Sequence, residues 1–339
     1  MLVLSGRDVQ RSLDLDRLVD AVGEALADLS AGRASMPRRA AATVPSRRAG
    51  AESGSGGDAL LAVMPAFLGS TGALVTKAVS LFPDNTDRPT HQAVILCFDP
   101  DNGTPLALMD GTYITAARTA AGSALATRLL ARPDARVVAV IGTGAEARAH
   151  ARAHARLPGI EVVRVAGRSA AAVDAVVADL ADLHDVRVEA APSIDDAVGS
   201  ADVVCATTHA DRPVVVRRQL RPGTHVNSVG YNSAGEGEVD AATLGEALVV
   251  VESRDTALAP PPAGAVELHR AIAAGALSAD GVAAIVELGE LAAGDAAGRR
   301  DDLQLTAYKS VGVAVQDAAA AALVLAAARD QGLGTEVDL

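Results

Sequence analysis

Hydrophobic and polar positions alternate along this chain with two different periods. Leu13, Leu15, Leu18, Val19, Val22, Leu26 and Leu29 approximate a helical stripe, with Asp14 and Asp16 at its start, which predicts a packing helix. From Leu60 to Met109 the pattern changes to short apolar runs, LLAVMPAF, ALVTKAVSLF, QAVILCFD and PLALMD, separated by Gly, Pro, Asn and Asp. These predict strands of an antiparallel, partly open sheet. An Ala-rich segment from Thr112 to about Leu130 predicts a helix that stops at Arg132-Pro133-Asp134. Then Val137 to Ile141 form a β-branched run that suits a strand buried on both faces of a parallel sheet. Strands are also expected over 162–165, 202–206 and 225–229, and a strongly apolar helix over Val313 to Ala328, which needs a partner surface to cover it.

The run over 137–141 ends at Gly142-Thr143-Gly144-Ala145-Glu146-Ala147, and a helix is expected from Arg148 to Leu157. Strand, Gly-x-Gly-x-x-Ala and helix in this order form a dinucleotide-binding pattern: Gly142 permits the turn, Gly144 lets the backbone approach a pyrophosphate, and Ala147 allows close helix packing. The phosphate then sits on the helix N-terminus. About 20 residues past such glycines an acidic residue holds the ribose 2′-OH in NAD-selective folds. Here Gly167 stands near that position, followed by Arg168 and Ser169, which suit a 2′-phosphate. The competing reading is that Ser169 only caps the next helix and Arg168 only points into water. NADP(H) is therefore the expected cofactor, with NAD(H) possible.

Length and charge narrow the function. A chain of 339 residues favours two domains. A net charge of −12 and 2% aromatic residues argue against a nucleic-acid surface. The longest apolar run, Ala318 to Ala328, is short for a membrane span, and MLVLSGRD lacks a basic region followed by an apolar core. The expectation is a cytoplasmic protein, and Cys97 and Cys205, without framework spacing, are expected as reduced thiols.

Polar residues in apolar surroundings are the candidate chemistry. Lys77, between Val75 and Val79, is either an edge residue facing water or a site residue. The stretch 33–48, with Arg38, Arg39, Arg47 and Arg48, reads as a solvated basic loop or as guanidinium aimed at an anion, and 50–58 as a Gly/Ser-rich loop or hairpin. His150 and His154, four apart, lack a third ligand and read as a helix face rather than a metal pair.

The segments MPRR, LVTKAVSLFPDN, GTPLALMDGTYITAARTAAGSALA, AVIGTGAEA, LRPGTHVNSVGYN, GEVD and YKSVGVAVQDAAAA occur in this order over residues of about 10–335. Together they resemble the ornithine cyclodeaminase/μ-crystallin family. The resemblance implies an α/β protein: a Rossmann-type dinucleotide-binding domain over 119–315, and a second, α+β substrate-binding and dimerisation domain over 1–118 and 316–339. It implies a homodimer through the sheet of about 60–110. Arg39 matches the family's Pro-x-Arg arginine, Lys77 its strand lysine and Arg118 the arginine of its Arg-Thr pair, residues that gather around an amino acid's carboxylate and amine. The cofactor set expected from resemblance and strand ends together is Thr119, Gly142, Thr143, Gly144, Ala145, Glu146, Arg168, Ser169, Thr207, Val229, Gly230 and Ser310.

This sequence departs from the family's cyclodeaminases at Asn232, where they place Asp, and at Glu146, where many members carry Gln. Cyclodeamination needs a titratable group beside the reacting carbon, which an amide cannot be. Reduction of an imine needs less. The expected activity is an NAD(P)H-dependent imine (ketimine) reductase or amino-acid dehydrogenase of small 2-imino or 2-amino carboxylates, with Lys77 and Asn232 catalytic and Arg39 and Arg118 holding the carboxylate. A true ornithine cyclodeaminase and a cofactor-binding protein of the μ-crystallin kind are the alternatives.

Overall fold

The computed structural model describes residues 1–45, 59–230, 235–261 and 263–338. These form two compact units, Met1–Arg118 with Val313–Leu339, and Thr119–Gly312. The first begins with β1 (Leu2–Leu4) and helices Gly6–Ser12 and Leu15–Ser30, followed by β2 (Ala34–Ser35), β3 (Ala40–Val44), β4 (Ala59–Leu68), β5 (Leu74–Leu81), β6 (His91–Phe98) and β7 (Pro105–Asp110). Helix Leu15–Ser30 is capped by Asp14, whose carboxylate accepts from the N–H groups of Asp16 and Arg17, and it buries Leu18, Val19, Val22 and Leu26, the stripe that predicted it. Strands β4 to β7 pair antiparallel in sequence order, as the turn-separated apolar runs require. Within the stretch 33–48, the described residues 33–45 are not simply a solvated loop: β2 and β3 both pair with β4, because Ala40 to Val44 are small or β-branched enough to extend an existing edge.

The second unit is a parallel sheet. Its strands are β8 (Val137–Ile141), β9 (Val162–Ala166), β10 (Arg187–Ala190), β11 (Val203–Ala206), β12 (His225–Ser228), β13 (Leu248–Val251), β14 (Val286–Glu287) and β15 (Thr306–Lys309). Their order across the sheet is β10-β9-β8-β11-β12-β15-β13-β14, and every described pairing is parallel. Progression from β8 outward in one direction and from β11 in the other puts the topological switch between β8 and β11. Val138 and Val140 enter one core and Ala139 and Ile141 the other, which is why this run lacks alternation. The helix after β8 spans Ala145–His154, beginning nearer the glycines than the expected Arg148.

The chain then returns to the first unit through helix Ala314–Gln331 and β16 (Thr335–Glu336), which pairs antiparallel with β1. That apolar helix finds its cover on β4, β5 and helix Leu15–Ser30. The first unit's sheet thus runs β16-β1-β7-β6-β5-β4-β2, with β3 also on β4. The architecture is α/β, a Rossmann-type parallel sheet plus an α+β unit, as expected. Among the described residues no helix is long and apolar enough to cross a membrane, and Cys97 and Cys205 are free and buried.

His150 and His154 are fully buried, on a face that packs inside the second unit. Each Nδ1 lies by the carbonyl four residues earlier, and their Nε2 atoms meet Ser123 Oγ at 3.0 Å and Thr127 Oγ1 at 3.0 Å. Burial holds their pKa values at about 3 and about 4, so both are neutral structural groups.

Candidate functional site

Lys77 sits on β5 between β4 and β6, opposite Met64 and Ile95, so the edge reading fails for it. Its side chain is 2% exposed, and Nζ lies 2.6 Å from Asp317 Oδ2. Asp317 belongs to the first turn of helix Ala314–Gln331, and its other oxygen lies 3.2 Å from Arg118 Nε. Arg118 Nη1 also donates to Gln316 Oε1 at 3.1 Å. One buried carboxylate therefore serves two buried cations, and the pair plus Asp317 carries an excess positive charge. Burial lowers the Lys77 pKa to about 8; Asp317 opposes the fall, while Arg118 and the half-buried Arg39 add to it. The three cations singled out in the sequence thus act on one another within one unit. A cluster of this kind suits an anion that can accept from guanidinium and ammonium together.

The second unit holds the nucleotide pattern. Gly142 has φ +135°, and a Cβ there would stand 2.5 Å from Thr207 Oγ1 and 2.7 Å from its carbonyl oxygen, so only glycine fits where the chain leaves β8. Thr207 follows β11, and its hydroxyl donates to Ile141 O at 2.9 Å. At Gly144, the N-cap of helix Ala145–His154, an added Cβ would meet nothing within 4 Å, and no side chain caps the helix. A helix start without a side-chain cap is where a dinucleotide fold receives a pyrophosphate. Arg148 donates to the carbonyls of Thr143 and Gly144 at 2.7 and 3.3 Å. Glu146 is partly exposed, its carboxylate 3.6 Å from His150 Nδ1. The geometry fits a dinucleotide pyrophosphate.

Arg168 is exposed, and its guanidinium makes no ion pair or hydrogen bond with the described residues. Ser169 caps helix Ala170–Asp179 by accepting from Ala172 N. Its hydroxyl hydrogen is not used by that bond. Thr119 is buried one residue past Arg118, in helix Gly111–Leu130. Val229 N donates to Ala206 O. Ser310 Oγ donates to Glu252 Oε1 at 2.5 Å, a carboxylate that also accepts from Val311 N and Gly312 N. Asn232 and Tyr231 lie outside the described residues, as do Arg47, Arg48 and the Gly/Ser-rich 50–58 stretch.

Sequence reasoning missed several polar and charged residues. Asp317 and Gln316 lay inside the quoted YKSVGVAVQDAAAA motif without a role. A second buried group gathers at the end of β12: Lys309 Nζ donates to Gly230 O at 2.8 Å, Ser228 Oγ at 3.2 Å and Glu267 Oε1 at 2.9 Å. Beside it Glu238 accepts from Gly230 N at 2.6 Å, from Ser228 Oγ at 3.2 Å and from Thr208 N. Burial pushes the Glu238 pKa up, against Lys309 and these donors. A Cβ on Gly230 would collide with Thr208 O and the Glu238 carboxylate. The signal available in sequence was that Glu238, Lys309, Gln316 and Asp317 lie in the quoted GEVD and YKSVGVAVQDAAAA motifs, which does not identify their partners.

The chain matches the ornithine cyclodeaminase/mu-crystallin family over residues 1–332. It is 35% identical over 266 residues to the ketimine reductase mu-crystallin of Mus musculus, covering 78% of this chain and 79% of that protein. Among solved structures it is similar to the Thermococcus litoralis Delta(1)-pyrroline-2-carboxylate reductase in complex with NADH and L-proline, at TM-score 0.88 and 32% identity, covering 99% of this chain and 100% of that one. It is also similar to an archaeal alanine dehydrogenase dimer with bound NAD, at TM-score 0.86 and 29% identity, covering 100% and 99% of the two chains. With its two-unit fold, its buried cation cluster and a family match that runs nearly end to end, the chain belongs to the ornithine cyclodeaminase/mu-crystallin family.

Proposed function

We propose that the protein is an NAD(P)H-dependent imine reductase or amino-acid dehydrogenase that acts on small 2-imino and 2-amino carboxylates, among them cyclic ketimines of the pyrroline-2-carboxylate kind. The observation that carries this reading is the fully buried pair Lys77 and Arg118 on the single carboxylate of Asp317. Two cations held dry against one acid favour a further anion, and a 2-imino carboxylate supplies it next to a basic nitrogen. The relatives named as ketimine and pyrroline-2-carboxylate reductases support the same class.

Arg118 and Arg39 hold the substrate carboxylate in this reading. Lys77, protonated, donates to the imine nitrogen and moves a proton to it. When bound, the reduced nicotinamide supplies the hydride. The stretch 119–315 is the cofactor domain, with Gly142, Thr143, Gly144, Ala145 and Glu146 at the pyrophosphate, Arg168 and Ser169 at the ribose, and Thr119, Thr207, Val229, Gly230 and Ser310 completing the site; 1–118 with 316–339 is the substrate and dimerisation domain. NADP(H) is favoured over NAD(H) by the uncommitted guanidinium of Arg168 and the absence of an acid at Gly167. We read the enzyme as cytoplasmic, given two unpaired cysteines. It is a homodimer through the outer face of the β3–β6 sheet, where Leu61, Val63 and Val94 stand 49%, 40% and 44% exposed.

The reaction is tested with cyclic imines, 2-oxo acids plus amines, and L-amino acids, followed by NAD(P)H absorbance. A cyclic 2-imino carboxylate is reduced, and L-ornithine releases no ammonia at a comparable rate, because Asn232 cannot act as the acid/base group. Lys77→Ala and Arg118→Ala each lower kcat/KM about a hundredfold or more, about 2.7 kcal/mol of transition-state stabilisation. Conversion of ornithine to proline as fast as imine reduction overturns the assignment in favour of the cyclodeaminase.

The pH profile has a defined sign. Lys77 donates only when protonated, and its pKa is about 8, so imine reduction falls as pH rises through that value. Asp317→Asn removes the group that opposes the burial of Lys77, and the break moves to lower pH. An unchanged break in that variant assigns it to another group.

For the cofactor, Arg168→Ala weakens NADPH by roughly tenfold to a hundredfold, the size of a charge-assisted hydrogen bond, and leaves NADH nearly unchanged. Equal weakening of both refutes the ribose-phosphate role. For the assembly, light scattering at micromolar concentration gives twice the 34.1 kDa chain mass, and Leu61→Lys with Val94→Lys gives a monomer; a wild-type monomer excludes the dimer.

A further inference from the structure

Gln316 is fully buried in the first turn of helix Ala314–Gln331. Its amide orientation is determined by its neighbours. Oε1 receives two donors, the Val313 backbone N–H at 3.4 Å and Arg118 Nη1 at 3.1 Å, and neither could face an NH2 group. The flipped amide would set donor against donor twice. The NH2 end is therefore the remaining one, and Nε2 is buried with no hydrogen-bond partner among the described residues. A buried amide donor left unmet is destabilising, and protein interiors rarely keep one. This one belongs to a side chain that holds Arg118 and adjoins Asp317, the residue bridging Arg118 to Lys77. The group it lacks is an acceptor, in a cluster that already carries excess positive charge.

We propose that Gln316 is a substrate-binding residue whose Nε2 donates to a carboxylate oxygen of the 2-imino or 2-amino acid, beside the Arg118 guanidinium. The amide does two jobs at once: its oxygen orients Arg118 and its nitrogen completes the anion site. The proposal rests on the reading of the cation cluster as a carboxylate site, but not on turnover. It adds a neutral donor to that set, which binds the carboxylate without raising the cationic charge that already lowers the Lys77 pKa.

The test separates the two ends of the amide. Gln316→Glu keeps an oxygen for Val313 N and Arg118, removes the donor and adds a negative charge, whereas Gln316→Met removes both ends of the amide without adding charge. Binding of pyrrole-2-carboxylate, a planar anion that the enzyme cannot reduce, is measured by calorimetry in the presence of NADP+, alongside the affinity for NADPH and the KM for pyrroline-2-carboxylate. The expected result is pyrrole-2-carboxylate affinity and KM weakened about tenfold or more in both variants, with NADPH affinity unchanged. Wild-type anion affinity in Gln316→Glu makes the residue a helix cap and arginine support only, and overturns the proposal. A loss in Gln316→Glu that is absent from Gln316→Met is charge repulsion and overturns it too. Should Gln316→Met fail to fold, Gln316→Leu takes its place as the uncharged variant. A wild-type enzyme that binds pyrrole-2-carboxylate but reduces no imine leaves the binding role standing and removes the reductase reading; one that binds no carboxylate removes both.

Discussion

The ion pair of Lys77 with Asp317 is the constraint on which the first unit depends. An ammonium in the middle of a central strand, 2% exposed, is tolerated only with a partner. That partner comes from the far end of the chain. Asp317 reaches it because the last long helix leaves the second unit at Gly312 and returns across β4 and β5. The return thus serves the buried ion pairs as well as the core: an apolar helix covers the sheet, and its first turn delivers the carboxylate and the amide that hold Lys77 and Arg118. Removing Asp317 leaves two buried cations facing each other, which is far costlier than never having buried them.

In the second unit the corresponding constraint is steric. β11 lies between β8 and β12, and the two residues that leave it, Thr207 and Thr208, each press on a glycine. Gly142 at the end of β8 faces Thr207, and Gly230 beyond β12 faces Thr208. No side chain fits at either glycine, so three adjacent strand ends close up at the place where doubly wound sheets bind ligands. The buried Glu238 and Lys309 hold that arrangement from beneath by taking the N–H and C=O of Gly230. These side chains satisfy backbone groups that lie beyond the end of β12.

Most of the fold was legible because burial imposes a period. β4 to β7 show apolar runs broken by turn residues, and β8 is apolar throughout because both its faces are covered. β3 was not legible: Ala40 to Val44 are all exposed, so no buried face marks the strand, and only its pairing with β4 defines it. Lys77 was legible as an anomaly, a cation in an apolar strand, yet the sequence left it undecided between edge and site. Its partner was not legible, since Asp317 stands in an Ala-rich helix hundreds of residues away and nothing local distinguishes it from a solvated acid. Gln316 was hidden for the same reason, as were Glu238 and Lys309, whose roles arise from contacts between distant strand ends.

If the cluster binds substrate as proposed, its charge balance also bears on the kind of substrate it selects. With Lys77 protonated, Lys77, Arg118 and Asp317 together are positive, and a positive surrounding disfavours the protonated iminium that accepts hydride most readily. A substrate that brings its own carboxylate removes this difficulty. The carboxylate neutralises the excess charge, and so supports both the protonated lysine and the growth of positive charge on the imine nitrogen. An imine without the carboxylate would meet the same cations with no compensation, and would lose protonation as well as orientation. On the proposed reading, selectivity for 2-imino carboxylates over simple imines follows from the electrostatics of Lys77, Arg118 and Asp317, before any contact with the substrate's side chain is considered.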